Sequence, residues 1–577
     1  FITGLVGLPL SWFSAAGPWE GGARPWTAAS VASYQLLLGA TALVLCAENV
    51  FVFLFAWELT SLAMYLAIVS RQDQASAAVP AYFTLSLAKV PAAALVAALL
   101  LLAARTGSFD FAAIARSGAA LDPALRGAAL VFALVGFGAK VGLAPMQVWL
   151  PRGYPAAPSN AAAAMAGIVL NLGIYGLIRV DFQFLGHPQP WWGLLVMLAG
   201  ALTAFTGILY GVVQDELKSF ISYSSVEHAG IMLIGVGVAL LGKADGLPLL
   251  AGAGLVAACL HLLQHSVAKS LFFAGSGAVE RIAGTTSMGQ LGGLAKRAPL
   301  GGFAGEWLTL EALMQGFRLG DIPRRLGTAM AGALLALTAG LALIAFAKLY
   351  GIVFLGPPRS DGAAKAKPIG GIAGGVLVTL AGLVVVVGVG APWAAQFAAA
   401  SVAFAVGENV AGAMTVWPHL SIQPAFANFS SASPTELALA LPLLALAPLA
   451  LRRLSRRRDQ RLHRVEVWAS ASGWQGTSIE YTPLAYSNMA RVILQLLYGT
   501  RRWLRESGTP LFPSALRYHS SVRMAFETWL YRPLIAGTLA VATGIRRLQS
   551  GILGIYVFYL LLVLLAILAV TRAVVGG

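Results

Sequence analysis

The sequence of 577 residues is 58% hydrophobic and only 11% charged, with a mean hydropathy of +0.77, which excludes a water-soluble globular protein. Its net charge of +16 is spread mainly through short loops between apolar runs, a distribution that indicates membrane topology rather than a nucleic-acid surface. Cys46 and Cys259 are the only cysteines of the sequence, so it offers neither a disulfide framework nor the ligands of a cysteine-bound iron–sulfur cluster.

Apolar runs divide the chain into about thirteen predicted membrane spans, at roughly 20 residues for each crossing. Because backbone groups in lipid must bond within their own segment, these spans are predicted to be helices. Residues 1–16 are typical of the end of a span rather than of a signal peptide, so we expect further residues upstream. The predicted spans lie near 31–47, 50–70, 80–104, 127–149, 157–180, 190–213, 219–241, 247–275, 303–317, 326–355, 370–392, 435–451 and 551–574.

A polar and basic stretch, residues 452–550, separates the last two predicted spans. It opens with a run of arginines, which the positive-inside rule places in the cytoplasm. Within 485–550, apolar residues recur at helical spacing, which predicts a helix along the membrane surface or against partner helices, while a solvated basic face explains the pattern equally well. The run consists of Arg452, Arg453, Arg456, Arg457, Arg458, Arg461 and Arg464. Counting spans backward places the loops with Lys218, Lys296, Arg297, Arg359, Lys365 and Lys367 on the same side.

Two ionisable residues stand out in the first half of the chain because they interrupt apolar runs. A charge at mid-bilayer costs roughly 2.5–3.5 kcal/mol on the insertion scale, so it implies pairing, hydration or function. Glu58 lies in FVFLFAWELTSLAMY and Lys140 in GFGAKVGLAPMQVWLP. In the second run, Gly142 and Pro145 are predicted to interrupt the helix and free backbone carbonyls, as in the broken spans that line ion sites.

Further ionisable residues follow in the second half. His261, His265 and Lys269 recur at i, i+4 spacing, which places them on one helical face, and Lys348 lies in AFAKLYGIVF. A lysine beside a carboxylate stays charged, an isolated buried lysine loses its proton readily, and histidine titrates near neutral pH. Snorkelling or a fixed ion pair explains any one of these residues, but several in one chain favour a relay for protons or sodium ions.

Several segments of the sequence together carry a family resemblance. They read WELTSLAMY, KVGLAPMQVWLP with PAAPSNA, GIYGLIR, DELKSFISYSSVEHAG, HSVAKSLFFAGSGAVE with LGGLAKR, and GGFAGEW. The chain resembles the proton-translocating antiporter-like subunits of complex I and of group 4 membrane-bound hydrogenases over about residues 31–360. The Ser-Val-Glu-His motif at 225–228 and the long C-terminal extension look most like the branch that contains hydrogenase-4 component B and formate hydrogenlyase subunit 3.

The resemblance implies an all-α polytopic membrane protein with about 13–14 transmembrane helices, two inverted five-helix repeats with broken helices, and a lateral C-terminal extension. It also implies a proton path in which Glu58 and Lys140 approach within ion-pair or one-water distance and Lys269 and Lys348 continue the line. The implied organisation is a truncated N-terminal span and loop at 1–30, repeats at 31–180 and 181–392, an additional span at 393–451, the extension at 452–550 and an anchoring helix at 551–577.

Other positions either join this path or depart from the family. His261 and His265 would extend the relay near Lys269. The motif residues Asp215, Lys218 and Glu227 fit a relay role or helix-end packing equally well. Asn171 stands where many relatives carry a lysine, which puts the half-channel through that helix in question. A family segment of about twenty residues is absent near 299–302, a gap that we interpret as missing residues rather than a deletion.

The resemblance implies a proton-translocating subunit in a bacterial or archaeal inner membrane, without redox chemistry of its own. Its expected partners are lipid, other membrane subunits and a peripheral redox arm, which would hold the iron–sulfur clusters and, in a hydrogenase, a nickel–iron centre. The alternative is a cation/proton antiporter or inorganic-carbon uptake subunit without a redox arm. An intramembrane zinc enzyme is disfavoured, because a metalloprotease pair needs Glu after the first His and position 262 is Leu.

Overall fold

Long apolar helices dominate the computed structural model of the chain, which describes residues 1–17, 27–71, 77–294, 304–408, 410, 415–416, 421–422, 433–454, 481–509 and 512–546. In these residues ten helical segments are long and apolar enough to cross a membrane, which confirms a polytopic α-helical protein. They are Ala28–Cys46, Val50–Val69, Ala78–Thr106, Pro123–Ala156, Ser159–Phe184, Pro190–Gly211, Leu217–Ala244, Pro248–Ala283, Ile322–Phe354 and Gly371–Val389.

The described α-helices up to residue 406 are α1 (Ile2–Ala15), α2 (Ala28–Cys46), α3 (Val50–Val69), α4 (Ala78–Leu87), α5 (Lys89–Thr106), α6 (Phe111–Ser117), α7 (Pro123–Val141), α8 (Leu150–Ala156), α9 (Ser159–Ala164), α10 (Asn171–Ile178), α11 (Pro190–Gly211), α12 (Leu217–Ala244), α13 (Pro248–Ala283), α14 (Ala304–Met314), α15 (Ile322–Leu349), α16 (Asp361–Lys365), α17 (Gly371–Val389) and α18 (Ala391–Val406). The later helices are α19 (Pro434–Leu454), α20 (Pro483–Ile493), α21 (Gln495–Tyr498) and α22 (Arg532–Arg546).

Polar side chains fix where several spans begin, because the first backbone N–H groups of a helix have no partner within it. The side chains of Asn49, Asp122 and Glu216 accept hydrogen bonds from the first turns of α3, α7 and α12. Asp321 caps α15, and the backbone N–H of Arg324 holds the pKa of that exposed carboxyl below its ordinary value. The loop residues between spans therefore set the helix boundaries that sequence periodicity leaves open.

The predicted interruption of the fourth span is confirmed. Helix α7 ends at Val141. Gly142 then adopts a left-handed backbone conformation, with φ +93°, that residues other than glycine rarely adopt. A short 3₁₀ turn, Met146–Trp149, then leads into α8. Helix α15 likewise passes into a π-helical turn at Tyr350–Phe354, directly after Lys348. Both irregular segments adjoin a buried lysine, where helix breaks expose backbone carbonyls.

Glycines at seven-residue spacing let α11 and α12 approach closely. Gly200 of α11 faces the backbone of Gly230 in α12, and Gly193 faces Gly237 in the same way. Further along the seam, Gly207 lies against the backbone of Glu227. Helices in lipid gain packing contacts rather than hydrophobic burial when they associate, so small residues at the interface are what allow it. The seam therefore fixes how α12, the helix that carries Glu227, packs against α11.

Gly230→Ala tests the seam. A methyl group there would overlap the backbone of Ala204, which cannot move without shifting α11, so we expect a loss of about 1–3 kcal/mol of stability. Gly340→Ala in α15 is the matched control, because no atom lies within 4 Å of its added carbon. Thermal unfolding of the two variants in detergent would measure the difference, and equal melting temperatures would contradict close packing at Gly230.

Part of the helical structure predicted for the C-terminal extension is wrong. The chain forms two compact units, Phe1–Leu494 and Gln495–Gly577, and α20 belongs to the first. In the second unit, Arg501–Thr509 (β1) pairs with Phe512–Ser521 (β2) in an antiparallel hairpin where a helix was predicted. Gly508 and the prolines at 510 and 513 disfavour a helix here, since proline removes a helical donor and clashes with the preceding turn.

Three of the other predicted spans differ in how far the structure supports them. In its described residues, the one near 303–317 contains the 11-residue helix α14 followed by the 3₁₀ turn Gln315–Arg318, which together are shorter than a membrane span. Helix α19 occupies the one near 435–451. The anchoring span at 551–574, the arginines from 456 to 464 and the gap near 299–302 lie outside the described residues.

Candidate functional site

Glu58 forms an ion pair with Lys89, a residue that the sequence patterns did not single out. Its Oε2 accepts a hydrogen bond from Lys89 at 2.5 Å, whereas the expected partner, Lys140, has no direct contact with it. Lys89 begins α5, which packs beside α3, so its ammonium reaches the middle of the α3 surface. The side chains of Lys89 and Glu58 are 54% and 40% exposed in the isolated chain. The carboxylate of Glu58 therefore belongs to an ion pair that is partly exposed on the surface of the isolated chain.

Lys140 lies inside the protein, in the last turn before the helix break. Its ammonium donates to the hydroxyl of Thr60 and to the carbonyl of Trp57, 3.5 Å away. The same ammonium stands 4.1 Å from the centre of the Trp57 ring, a cation–π contact. Glu58 is near enough for its charge to act on Lys140. The lysine thus has neutral direct partners and an acidic group nearby that is already paired with Lys89.

Lys269 forms the centre of a second buried cluster. Its Nζ donates to Ser224 Oγ at 2.7 Å, and Ser224 in turn donates to Glu227 at 3.4 Å. Lys269, Ser224 and Glu227 are all at most 1% exposed. The carboxylates of Glu227 and Glu306 both act on the charge of Lys269. Glu227 is therefore an acidic neighbour of the central lysine rather than a helix-end residue.

Three histidines adjoin the central lysine on α12 and α13. The rings of His228 and His261 meet with Nδ1 and Nε2 2.8 Å apart, and the ring of His265 is centred 5.7 Å from that of His228. The sequence identified His261 and His265 but not His228, which the motif Ser-Val-Glu-His places directly after Glu227. In the part of the chain that the structure describes, no group of three His, Cys, Asp or Glu residues could hold a metal ion.

Asn171 bridges two helices at the position where a family lysine was expected. Its amide donates to Ser266 Oγ at 2.7 Å and to the carbonyl of Gly167 at 2.9 Å, and the side chain is buried. It also lines a mostly apolar groove of about 550 Å³ together with Tyr175 and Arg179. An amide at this position forms a neutral hydrogen-bonded contact between α10 and α13.

Lys348 is fully buried at the end of α15. Its Nζ donates to the carbonyl of Val212 at 2.9 Å and to that of Gln214, and Asp215 Oδ1 lies 3.5 Å away. The loop between α11 and α12 is held in place by a backbone hydrogen bond from Met288 to the carbonyl of Asp215, 2.9 Å long. Asp215 is therefore the carboxylate partner of this terminal lysine.

Lys218 belongs to a separate ionic cluster. Glu280, at the end of α13, accepts from Lys218 at 2.6 Å and from Arg71 at 2.7 Å, one cation on each carboxylate oxygen. Arg71 also donates to the carbonyl of Pro155 at 3.0 Å. The cluster joins the ends of α3, α8, α12 and α13, the helices that carry or adjoin Glu58, Glu227 and Lys269. It is a helix-end clamp.

Sequence reasoning missed Lys89, Arg71 and Glu280. Lys89 offered a signal, since it interrupts the apolar run near 80–104 as Glu58 does in its own run. Arg71 and Glu280 offered none, because they lie at span ends, where charged residues are ordinary. Their partnership joins positions 209 residues apart, which no local pattern reports.

Residues 47–310 match the family described as NADH:quinone oxidoreductase/Mrp antiporter, TM. Hydrogenase-4 component B of Escherichia coli (strain K12) is 31% identical, over 92% of this chain and 82% of that protein. Two solved structures share the fold. A chain of an archaeal membrane-bound sulfane sulfur reductase gives a TM-score of 0.73 at 19% identity, over 98% of this chain and 87% of that one. A chain of the Mrp complex from Dietzia sp. DQ12-45-1b gives 0.64 at 20% identity, over 99% and 54%.

Proposed function

The chain belongs to the family of antiporter-like membrane subunits found in complex I-like, hydrogenase-4-type and Mrp complexes, and from this premise we propose that it moves protons across the inner membrane through its buried lysines. The observation that carries the proposal is that Lys140, Lys269 and Lys348 are each enclosed in the protein, at most 6% exposed, with an acidic group in reach. Such lysines can exchange a proton with a neighbour when the acidic group moves.

At the first site, Lys89 and Lys140 compete for Glu58. While Glu58 is bound to Lys89, Lys140 has only a hydroxyl, a carbonyl and an aromatic face to stabilise its charge. If Glu58 turns toward Lys140, the ammonium gains a carboxylate and keeps its proton. If it turns back, the proton is released. Alternation of one carboxylate between two lysines is the switch that we assign to this site.

At the central site, the proton has acceptors of two kinds. Lys269 is linked to Glu227 through the hydroxyl of Ser224, which can donate and accept at once. On the other side, His265 and His261 lie one and two turns before Lys269 on the same helix, and His228 contacts His261. Histidine carries protons through either ring nitrogen, so the three rings suit a branch of the relay. The path then leaves by Lys348 and Asp215.

The exposed ion pair between Glu58 and Lys89 is evidence that a partner subunit covers this part of the chain. Glu58 and Lys89 lie within apolar spans, and exposed Phe55 and Leu62 stand three and four residues from Glu58 on α3, so contact of this charged face with lipid would be costly. A neighbouring membrane subunit that covers this face would remove the cost. We infer that the chain works in a multisubunit complex whose peripheral redox arm holds iron–sulfur clusters, with electron transfer there driving proton movement here.

The second candidate is a cation/proton antiporter subunit without a redox arm, which the match to the Mrp antiporter family favours as much as it favours the first. Purification of the intact complex from its own membranes distinguishes them. A redox function requires co-purified iron and sulfide, and electron transfer that drives proton uptake into vesicles. Proton movement driven by a sodium gradient, with no iron in the complex, would establish the antiporter instead.

Lys140→Ala and Glu58→Gln test the relay itself. The first removes the carrier, and the second removes the carboxylate while preserving size and polarity. In proteoliposomes containing the whole complex, we expect proton uptake to fall by about tenfold, equivalent to about 1.4 kcal/mol, with a partly retained redox rate. Lys365→Ala, at an exposed lysine outside the spans, is the matched control. Wild-type proton movement in both variants would reduce these residues to structural roles.

A further inference from the structure

The cradle of Lys348 is made of consecutive residues in the loop between α11 and α12. The carbonyls of Val212 and Gln214 accept from the ammonium, and Asp215 supplies a carboxylate oxygen 3.5 Å away. Between the two carbonyls lies that of Val213, which points to a different donor. It accepts from Nη2 of Arg491 at 3.4 Å. Three successive carbonyls therefore serve two cations.

Arg491 comes from the C-terminal extension, 278 residues further along the chain than Val213. It lies in the last turn of α20, a helix that begins with Thr482 as a cap and Pro483 in its first turn. The side chain is 4% exposed, which is rare for arginine and indicates that the guanidinium is enclosed by the membrane unit.

Two other contacts attach α20 and its N-terminal flank to the neighbourhood of Lys348. The hydroxyl of Tyr486 lies against Gly351, where an added Cβ would be 2.9 Å away, in the π-helical turn that follows Lys348. Just before α20, the carbonyl of Tyr481 accepts from Arg359 at 2.9 Å. Residues 481–491 are thus anchored on both the helix that carries Lys348 and the loop that binds it.

A fixed positive charge beside a titratable lysine has a definite consequence. Guanidinium keeps its proton at every physiological pH, so Arg491 always opposes the charged form of Lys348. Asp215 has the opposite effect, because a carboxylate favours the ammonium. Asp215 Oδ1 lies 3.5 Å from the ammonium of Lys348, and Arg491 binds the carbonyl of Val213, which stands between the two carbonyls that accept from that ammonium. The lysine is balanced between these two charges.

We propose that Arg491 is a positioning residue of the terminal proton site, through which the C-terminal extension holds the carbonyl cradle and promotes proton release from Lys348. This deepens the proposed relay and rests on it. When α20 moves with a partner subunit, the guanidinium moves with it, and the balance at Lys348 shifts. Helix α20 is then a regulator of the relay.

The test is the pH dependence of proton uptake by proteoliposomes containing the intact complex. Arg491→Met removes the opposing charge, so we expect the pH midpoint of uptake to rise by about one unit. Asp215→Asn removes the favouring charge and should lower the midpoint by a similar amount. The double variant should return close to wild type, which a merely structural role for Arg491 would not produce. Arg491→Lys keeps the charge and should stay near the wild-type profile.

Arg502→Met is the matched control, since Arg502 is an exposed arginine of the extension, and its profile should not move. If Arg491→Met assembles poorly, Arg491→Gln gives the measurement instead, because it keeps an N–H donor for the carbonyl of Val213 and removes the charge, and its midpoint should rise as well. Shifts of Arg491→Met and Asp215→Asn in the same direction, or no compensation in the double variant, would overturn the inference. Lys348→Met separates the two levels. Wild-type uptake in that variant would reject the terminal site, whereas lost uptake there with an unshifted Arg491→Met profile rejects the role of Arg491 alone.

Discussion

Lys269→Arg is expected to abolish proton translocation while leaving the protein assembled. Arginine preserves the positive charge that Glu227 and Glu306 stabilise, so the buried carboxylates remain compensated. It cannot release a proton at physiological pH, so a carrier at this position is lost. We expect proton uptake by proteoliposomes with the whole complex to fall by more than about tenfold, or about 1.4 kcal/mol in the barrier.

Two further variants make this result decisive. Lys269→Met removes both charge and proton and should lose uptake to the same extent, with a larger loss of thermal stability because Glu227 is left unpaired. Ser224→Ala interrupts only the hydroxyl between Lys269 and Glu227 and should give an intermediate rate. Wild-type proton uptake by Lys269→Arg would mean that this lysine is a fixed counter-ion, and the central part of the relay would have to be abandoned.

Glu280→Ala is expected to cause the largest loss of stability. The substitution leaves Arg71 and Lys218, each with a side chain 2% exposed, without their shared carboxylate. Removal of one partner from a buried ionic cluster commonly costs about 3–5 kcal/mol, and since Glu280 is 16% exposed we expect about 3 kcal/mol here. Thermal unfolding in detergent and the amount of assembled protein in membranes measure the effect.

The matched control is Glu48→Ala. Glu48 also pairs with an arginine, Arg179 at 2.9 Å, but its side chain is 73% exposed, so water replaces the lost partner and we expect a cost under about 1 kcal/mol. The combined variant Arg71→Met, Lys218→Met, Glu280→Leu should recover most of the stability, because no buried charge remains unpaired. Equal losses in Glu280→Ala and Glu48→Ala would show that the cluster does not clamp the helix ends.

Local patterns in the sequence accounted for the membrane fold and for the positions of the buried charges. Hydropathy predicted the spans because burial in lipid depends on runs of about twenty residues. Gly142 and Pro145 predicted the broken helix because backbone conformation is a local property. The same reasoning predicted a helix where the extension forms the hairpin β1–β2, because apolar spacing alone does not separate a short helix from paired strands.

The buried ionisable residues were predictable from the sequence, because Lys140, Lys269 and Lys348 interrupt apolar runs, and all three are enclosed in the structure. The partners of the charged groups, in contrast, follow from the packing of the helices. That packing gave Glu58 to Lys89, Glu280 to both Arg71 and Lys218, and the carbonyl beside the Lys348 cradle to Arg491. Burial follows from the composition of a segment, whereas a hydrogen bond requires atoms from distant segments to meet within about 3 Å, a condition set by how whole helices pack.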